Sequence, residues 1–141
     1  MFRQLFSSIA LLIGSAPAAA GTTVVTGNII DTSGFEGVAA VAHLGAVTAT
    51  GVPAIKWQHG DLADGSDMAD VTGSTATGND TMSNKLLGTE IHRPTKRYMR
   101  PILTRTAANV VLSSMMVYLF NASHTSVTQT DLLEHVSIQG P

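Results

Sequence analysis

The sequence predicts an all-β fold, a β-sandwich or jelly-roll-like barrel over residues 22–141 preceded by an N-terminal arm over 1–21. Three observations predict it. Six to eight short apolar or alternating segments, rich in Val, Ile and Thr, are separated by Gly, Asp, Asn and Ser clusters. Residues 52–73 read as a hairpin: Ile55 and Trp57 fall on one side of the pleat and Lys56 and Gln58 on the other, before Asp61, Asp64, Gly65 and Asp67 supply a turn. The longest apolar run, 110–120, is dominated by Val, Tyr and Phe between polar flanks, which favours a buried strand over a helix. At 141 residues the chain fits one domain, with roughly two-thirds of its unfolded surface buried on folding.

Residues 1–20 satisfy the general description of a secretory signal: Arg3 comes early, an apolar run follows from 5 to 13, and Ala18 and Ala20 precede Gly21. Yet Phe2, Leu5, Phe6, Ile9, Leu12 and Ile13 recur at helical spacing, a stripe that a signal core does not require. The stripe favours a retained arm, which either completes its own core or tethers a neighbouring subunit. The apolar run is too short to span a bilayer, which takes about 20 residues, so no membrane partner is expected.

Residues 22–30, β-branched and rich in Val, and the apolar stretch 38–47 read as two strands joined by a turn at Thr32-Ser33-Gly34. After the hairpin, 73–81 is polar and aperiodic and reads as a loop. A short strand is expected over 85–91. Another is expected over 97–105, where Pro101 calls for a sheet edge or a bulge. In the tail, Asp131 and Glu134 form a weak helix start.

Composition narrows the function classes. With no Cys there is no thiolate, disulfide or Cys-based zinc chemistry. A net charge of −2 gives no basic field for nucleic acid. Only 13% of residues are charged, against about a quarter in ordinary soluble domains. Interface cores are depleted of charge, so this deficit points to assembly with other subunits.

Signatures of catalysis are missing. His43, His59, His92, His124 and His135 are scattered outside any metal-binding spacing, and neither a nucleophile elbow nor a glycine-rich phosphate loop occurs. The reading is therefore non-enzymatic, with no cofactor. Asp61, Asp64, Asp67 and Asp70 recur every third residue, but the spacing misses the usual Ca²⁺ loop, and Asp-Gly turns are common between strands. Arg93, Lys96, Arg97, Arg100 and Arg105 place five of eight basic residues within thirteen positions, interleaved with only Tyr98. This is a solvated strand face, a weak phosphate-binding patch, or a patch complementary to the Asp61, Asp64 and Asp67 loop of a neighbouring copy.

With those residues in view, the chain resembles a group of small structural proteins of tailed bacteriophages over most of its length. The resemblance is carried, in order, by Ala16-Pro17-Ala18, a Thr/Val strand over 22–26, and Asp31-Thr32-Ser33-Gly34-Phe35. It continues through Ile55-Lys56-Trp57-Gln58, Asp64-Gly65-Ser66 and Ala69-Asp70-Val71, and then Lys96-Arg97-Tyr98-Met99-Arg100-Pro101 before the apolar run 110–120. It departs in the tail after Asn121, and the first fifteen residues are more apolar than the pattern. The resemblance implies a head decoration or cement protein on the virion capsid surface, bound to the major capsid protein and to itself, commonly as a trimer. In that setting Phe2, Leu5, Phe6 and Ile9 are the expected intersubunit contact. A head-to-tail connector or tail protein, and a secreted bacterial β-sandwich cleaved after Ala20, are the competing readings.

Overall fold

Along 52–60 the side chains alternate as the sequence requires: Ile55 and Trp57 are fully buried, while Lys56 and Gln58 reach the surface. Period-two burial recurs in the other long strands, so each has a core face and an outer face. The structure, a computed structural model, describes residues 5–123 and 127–132. After one helical turn, α1 (Leu5–Ser8), come β1 (Ala10–Ser15), β2 (Ala18–Gly21), β3 (Val25–Thr26), β4 (Ile30–Asp31), β5 (Phe35–Val47) and β6 (Val52–Gly60). They are followed by β7 (Ala69–Asp70), β8 (Ala76–Thr77), a 3₁₀ turn at Asp80–Met82, β9 (Leu86–His92), β10 (Tyr98–Thr106) and β11 (Val110–Ala122).

Two antiparallel sheets result. In the first, β1 and β2 lie end to end along one flank of β11, with β5 on the other flank and β9 beyond it. In the second, β3 and β4 lie end to end beside β10, with β6 on the other side and β7 and β8 beyond β6. Counting each end-to-end pair as one interrupted strand gives eight positions with nested pairing: first with eighth, second with seventh, third with sixth, fourth with fifth. A long ribbon rolled in this way, closed by the β11–β5 and β10–β6 ladders, is a jelly roll. The all-β sandwich expectation therefore holds.

Several local expectations change. Residues 10–21, read as part of an arm, are built into the first sheet, and the helical stripe stops after Ser8 because Ala10–Ser15 finds a ladder on β11. Tertiary pairing here overrides a local period that fits helix and strand about equally. Residues 22–30 form two short strands rather than one. Pro101 lies in an interior strand, not at an edge. Its carbonyl accepts from Gly27 N at 2.8 Å, so its missing N–H faces the same flank, where β3 and β4 are interrupted. Gly27 is required there, since a Cβ would collide with the carbonyls of both Pro101 and Gly14. Residues 73–81 are not a free loop: they contain β8 and the start of the 3₁₀ turn, and Ser74 is buried with its hydroxyl donating to Val71 O at 2.7 Å. The expected tail helix falls largely outside the described residues.

Trp57 fills the centre between the sheets with Leu44, Ile55, Met99, Leu103 and Met115, and its indole N–H donates to Thr89 O on the opposite sheet at 3.4 Å. Burying one such ring is worth roughly 4–6 kcal/mol of transfer free energy before entropy is counted.

Arg105 is the unexpected core residue, only 6% exposed. Its guanidinium donates to Thr23 O at 2.7 Å, Ala19 O at 2.6 Å and Val110 O at 2.7 Å, fastening the N-terminal crossover to β11. Hydrogen bonds from a charged donor are worth more than neutral ones, and unpaired buried carbonyls are costly. Arg105→Met is expected to lower stability by about 3 kcal/mol, read as a lower urea midpoint at unchanged slope.

Candidate interaction surfaces

The two sheets present opposite chemistries to the outside. On the second sheet the outward residues of β6 and β10 form a polar relay: Arg100 Nε donates to Gln58 Oε1 at 2.8 Å, Gln58 Nε2 to Asp70 at 2.8 Å, and Lys56 Nζ pairs with the same carboxylate. On the first sheet the outward positions of β11 and β5 include Met116, Tyr118, Phe120, Ala39 and Val41, all half-buried and none part of the core, followed by the polar pair Ser114 and His43. Beside them stand Ile13 on β1, 48% exposed, and Leu86 on β9, 64% exposed. Phe120 lies over Gly37, where a Cβ would collide with its ring, and meets His92 edge-on at 5.4 Å. The ionisable groups of this face lie on its β5–β9 side: His43, and His92 beside Glu90 at 3.3 Å.

Of the charged residues singled out in the sequence, Lys96, Arg97, Asp61, Asp64 and Asp67 gather at one end of the sandwich and bond within the chain. Arg97 grips Asp31 with two bonds, at 2.9 and 2.8 Å, and lies 5.3 Å from the Tyr98 ring centre. Lys96 Nζ reaches Asp61 at 3.0 Å. Asp67 accepts from the Asp61 and Leu62 amides at 2.6 and 3.2 Å, and Asp64 from Ser66 N at 3.0 Å, so these carboxylates hold their own turn. Of the basic patch, Lys96 thus meets the acidic loop of its own chain. Arg100 turns to the second sheet, Arg105 leaves the surface altogether, and Arg93 stays exposed at a left-handed turn (φ 53°). Among the described residues no three His, Cys, Asp or Glu side chains gather as a metal site.

Of the apolar stripe, Phe2 lies outside the described residues. Leu5 is 62% exposed, and Phe6 and Ile9 are half-buried. The carbonyls of Phe6 and Ile9 accept from Gln129 Nε2 at 2.9 and 2.6 Å, while Gln129 Oε1 accepts from Leu11 N at 3.0 Å and Asp131 from Ile13 N at 2.8 Å. Asn28 Nδ2 donates to Ile13 O at 3.0 Å. Side chains therefore satisfy the free edge of β1, which blunts it for pairing with another strand. Behind this edge a groove of about 560 Å³ is walled by Leu12, Ile30, Phe35, Leu119 and Val127. Nothing local in the sequence signals the Gln129 and Asp131 caps, since they act 118 residues from their donors.

No protein-family model matches this chain, and no curated protein matches it in sequence. The class that the fold itself defines is an all-β jelly-roll sandwich with one polar and one apolar outer face.

The Arg97 guanidinium bonded to Asp31 holds that carboxyl below the ordinary value, against a smaller opposing effect of burial. Backbone amides lower Asp64 and Asp67, and Lys56 lowers Asp70. Depressed folded values contribute stability above the unfolded carboxylate pKa of about 3.9, lost as pH falls through the folded values. Asp61 raises Lys96 instead, so that share is complete below 10.5 and fades only in stronger alkali. The melting temperature is expected to fall on acidification through about pH 4 and below. Asp31→Asn should make the fall shallower, which a pH series of thermal melts checks.

Proposed function

We propose that this chain is a non-enzymatic structural subunit of a tailed-phage virion, a decoration or cement protein bound to the outer face of the major capsid shell. The observation that carries the reading is the apolar outer face of the first sheet in a chain with only 13% charged residues. A domain that left such a face in water would be prone to association, whereas an assembly buries it. Within the fold, Asp31 of the Asp31–Phe35 motif grips Arg97 of the Lys96–Pro101 motif, Thr32 donates to Arg97 O through both its amide at 2.9 Å and its hydroxyl at 2.7 Å, and Lys96 reaches the acidic turn. Jelly rolls occur in viral capsid and lectin domains alike, so the fold by itself is only an analogy.

In this role the chain bridges adjacent capsomers, and each copy adds stability to the shell by binding its assembled state. Several weak contacts through a homo-oligomer suffice for tight attachment. Retention of the N-terminal segment fits the sheet: cleavage after Ala20 would remove β1 and most of β2, together with the Ala19 acceptor of Arg105.

Quantitative mass spectrometry of purified particles tests the proposal. Tens to hundreds of copies per particle, with peptides from residues 10–20 present, are expected; about six or twelve copies would assign a connector or tail component instead, as closed rings require. A chain beginning at Gly21 and absent from particles would leave a secreted β-sandwich.

A further inference from the structure

We infer that the outer face of the first sheet is a contact between two copies of this chain, packed face to face about a twofold axis lying in the interface and running across the strands. This contact does not depend on the virion reading. It rests on three features of the face: its size, its relief and its distribution of charge.

β5 and β11 are each 13 residues long. At ~3.4 Å per residue and ~4.8 Å between strands, four strand positions present a face of roughly 700 Å², close to the ~800 Å² that each partner contributes to a stable interface. Its relief is self-complementary. The register puts Tyr118, Ala39 and Glu90 in one row, and Met116, Val41 and Gly88 in the next. A twofold axis across the strands, between these rows, exchanges them. Val41 of one copy then stands over Ala39 of the other and Glu90 over Gly88, the larger residue over the smaller, while Tyr118 stands over Met116 and sets an aromatic ring against the sulfur. The one-row step also sets His43 against Gly37.

Charge selects this axis over the alternative. A twofold along the strands would lay Leu11 on Glu90, setting an aliphatic chain against a carboxylate, where the proposed axis leaves only Gly88 over it. The proposed axis keeps β9 over β9, so Glu90 and His92 stay at the rim while the centre is uncharged, as in protein interfaces generally. The route by strand addition is closed at β1, whose edge donors at Leu11 and Ile13 are already taken by Gln129 and Asp131. A threefold ring would need two different patches, whereas these rows match themselves.

Sedimentation equilibrium of the full chain over a wide concentration range tests the contact. The expected species has twice the 14.7 kDa chain mass. Val41→Lys and Met116→Lys should each weaken it by at least about 30-fold. Thr104→Lys, on the outer face of the second sheet, should leave it unchanged, with Trp57 fluorescence reporting that each variant is folded. A monomer throughout, a trimer, or a dimer indifferent to both face variants would overturn the inference. Should the lysine variants misfold, the milder Met116→Cys and Tyr118→Cys chains carry the test, since the native sequence has no Cys. A short bis-maleimide should join a mixture of the two more readily than either alone, and equal or absent linking would overturn the geometry.

Discussion

The roll depends on β11 being held on both flanks. Its register runs from Val110 against Val47 to Ala122 against Phe35 on one side, and from Val110 against Gly21 to Leu119 against Ala10 on the other. β11 thereby joins β1 and β2 to β5, and this closure places the core faces of the two sheets opposite each other. Arg105 reinforces the closure at one end by binding carbonyls of both the N-terminal crossover and β11. Contacts of this kind join residues far apart in sequence, and the loop-closure entropy they cost falls due before the core can offset it. A slow-folding, cooperative domain follows from that topology.

Closure also fixes what remains outside. Once alternate residues of β5 and β11 are committed to the core, the others must form the outer face, and here its middle rows are Ala, Val, Met, Tyr and Phe, with His43, Ser113 and Ser114 toward one end. The second sheet follows the ordinary pattern, with Arg100, Gln58, Asp70 and Lys56 linked across its surface. One fold thus carries a wetted face and an apolar face, with paired charges at one end. Exposed ion pairs such as Lys96–Asp61 contribute little to stability and instead fix loop geometry.

The first strand of the 52–73 hairpin and the long strand over 110–120 were legible because burial on one side of a pleat imposes a period of two, and this period survives in a single sequence. Pro101 departs from the expected edge or bulge because that rule considers the strand alone. Here the flank that would need its N–H is interrupted at Gly27. The first residues were ambiguous since Leu12 and Ile13 suit both periods, and only the distant β11 decides between them. Arg97 could be placed in a basic cluster, yet its partner Asp31 lies 66 residues away with no local pattern to mark it. The apolar face itself was hidden in the same way: Met116 and Tyr118 read as core until the topology assigns which alternate residues point inward.

The central claim is that the apolar face of the first sheet is covered in the assembled state while the face of the second sheet stays open. Hydroxyl-radical footprinting of the chain, dilute and then assembled, tests it directly through three side chains. The account predicts that Met116 and Tyr118 lose reactivity on assembly while Tyr98, on the outer face of the second sheet, keeps it. Equal reactivity of Met116 and Tyr118 in both states, or protection confined to Tyr98, would contradict the account.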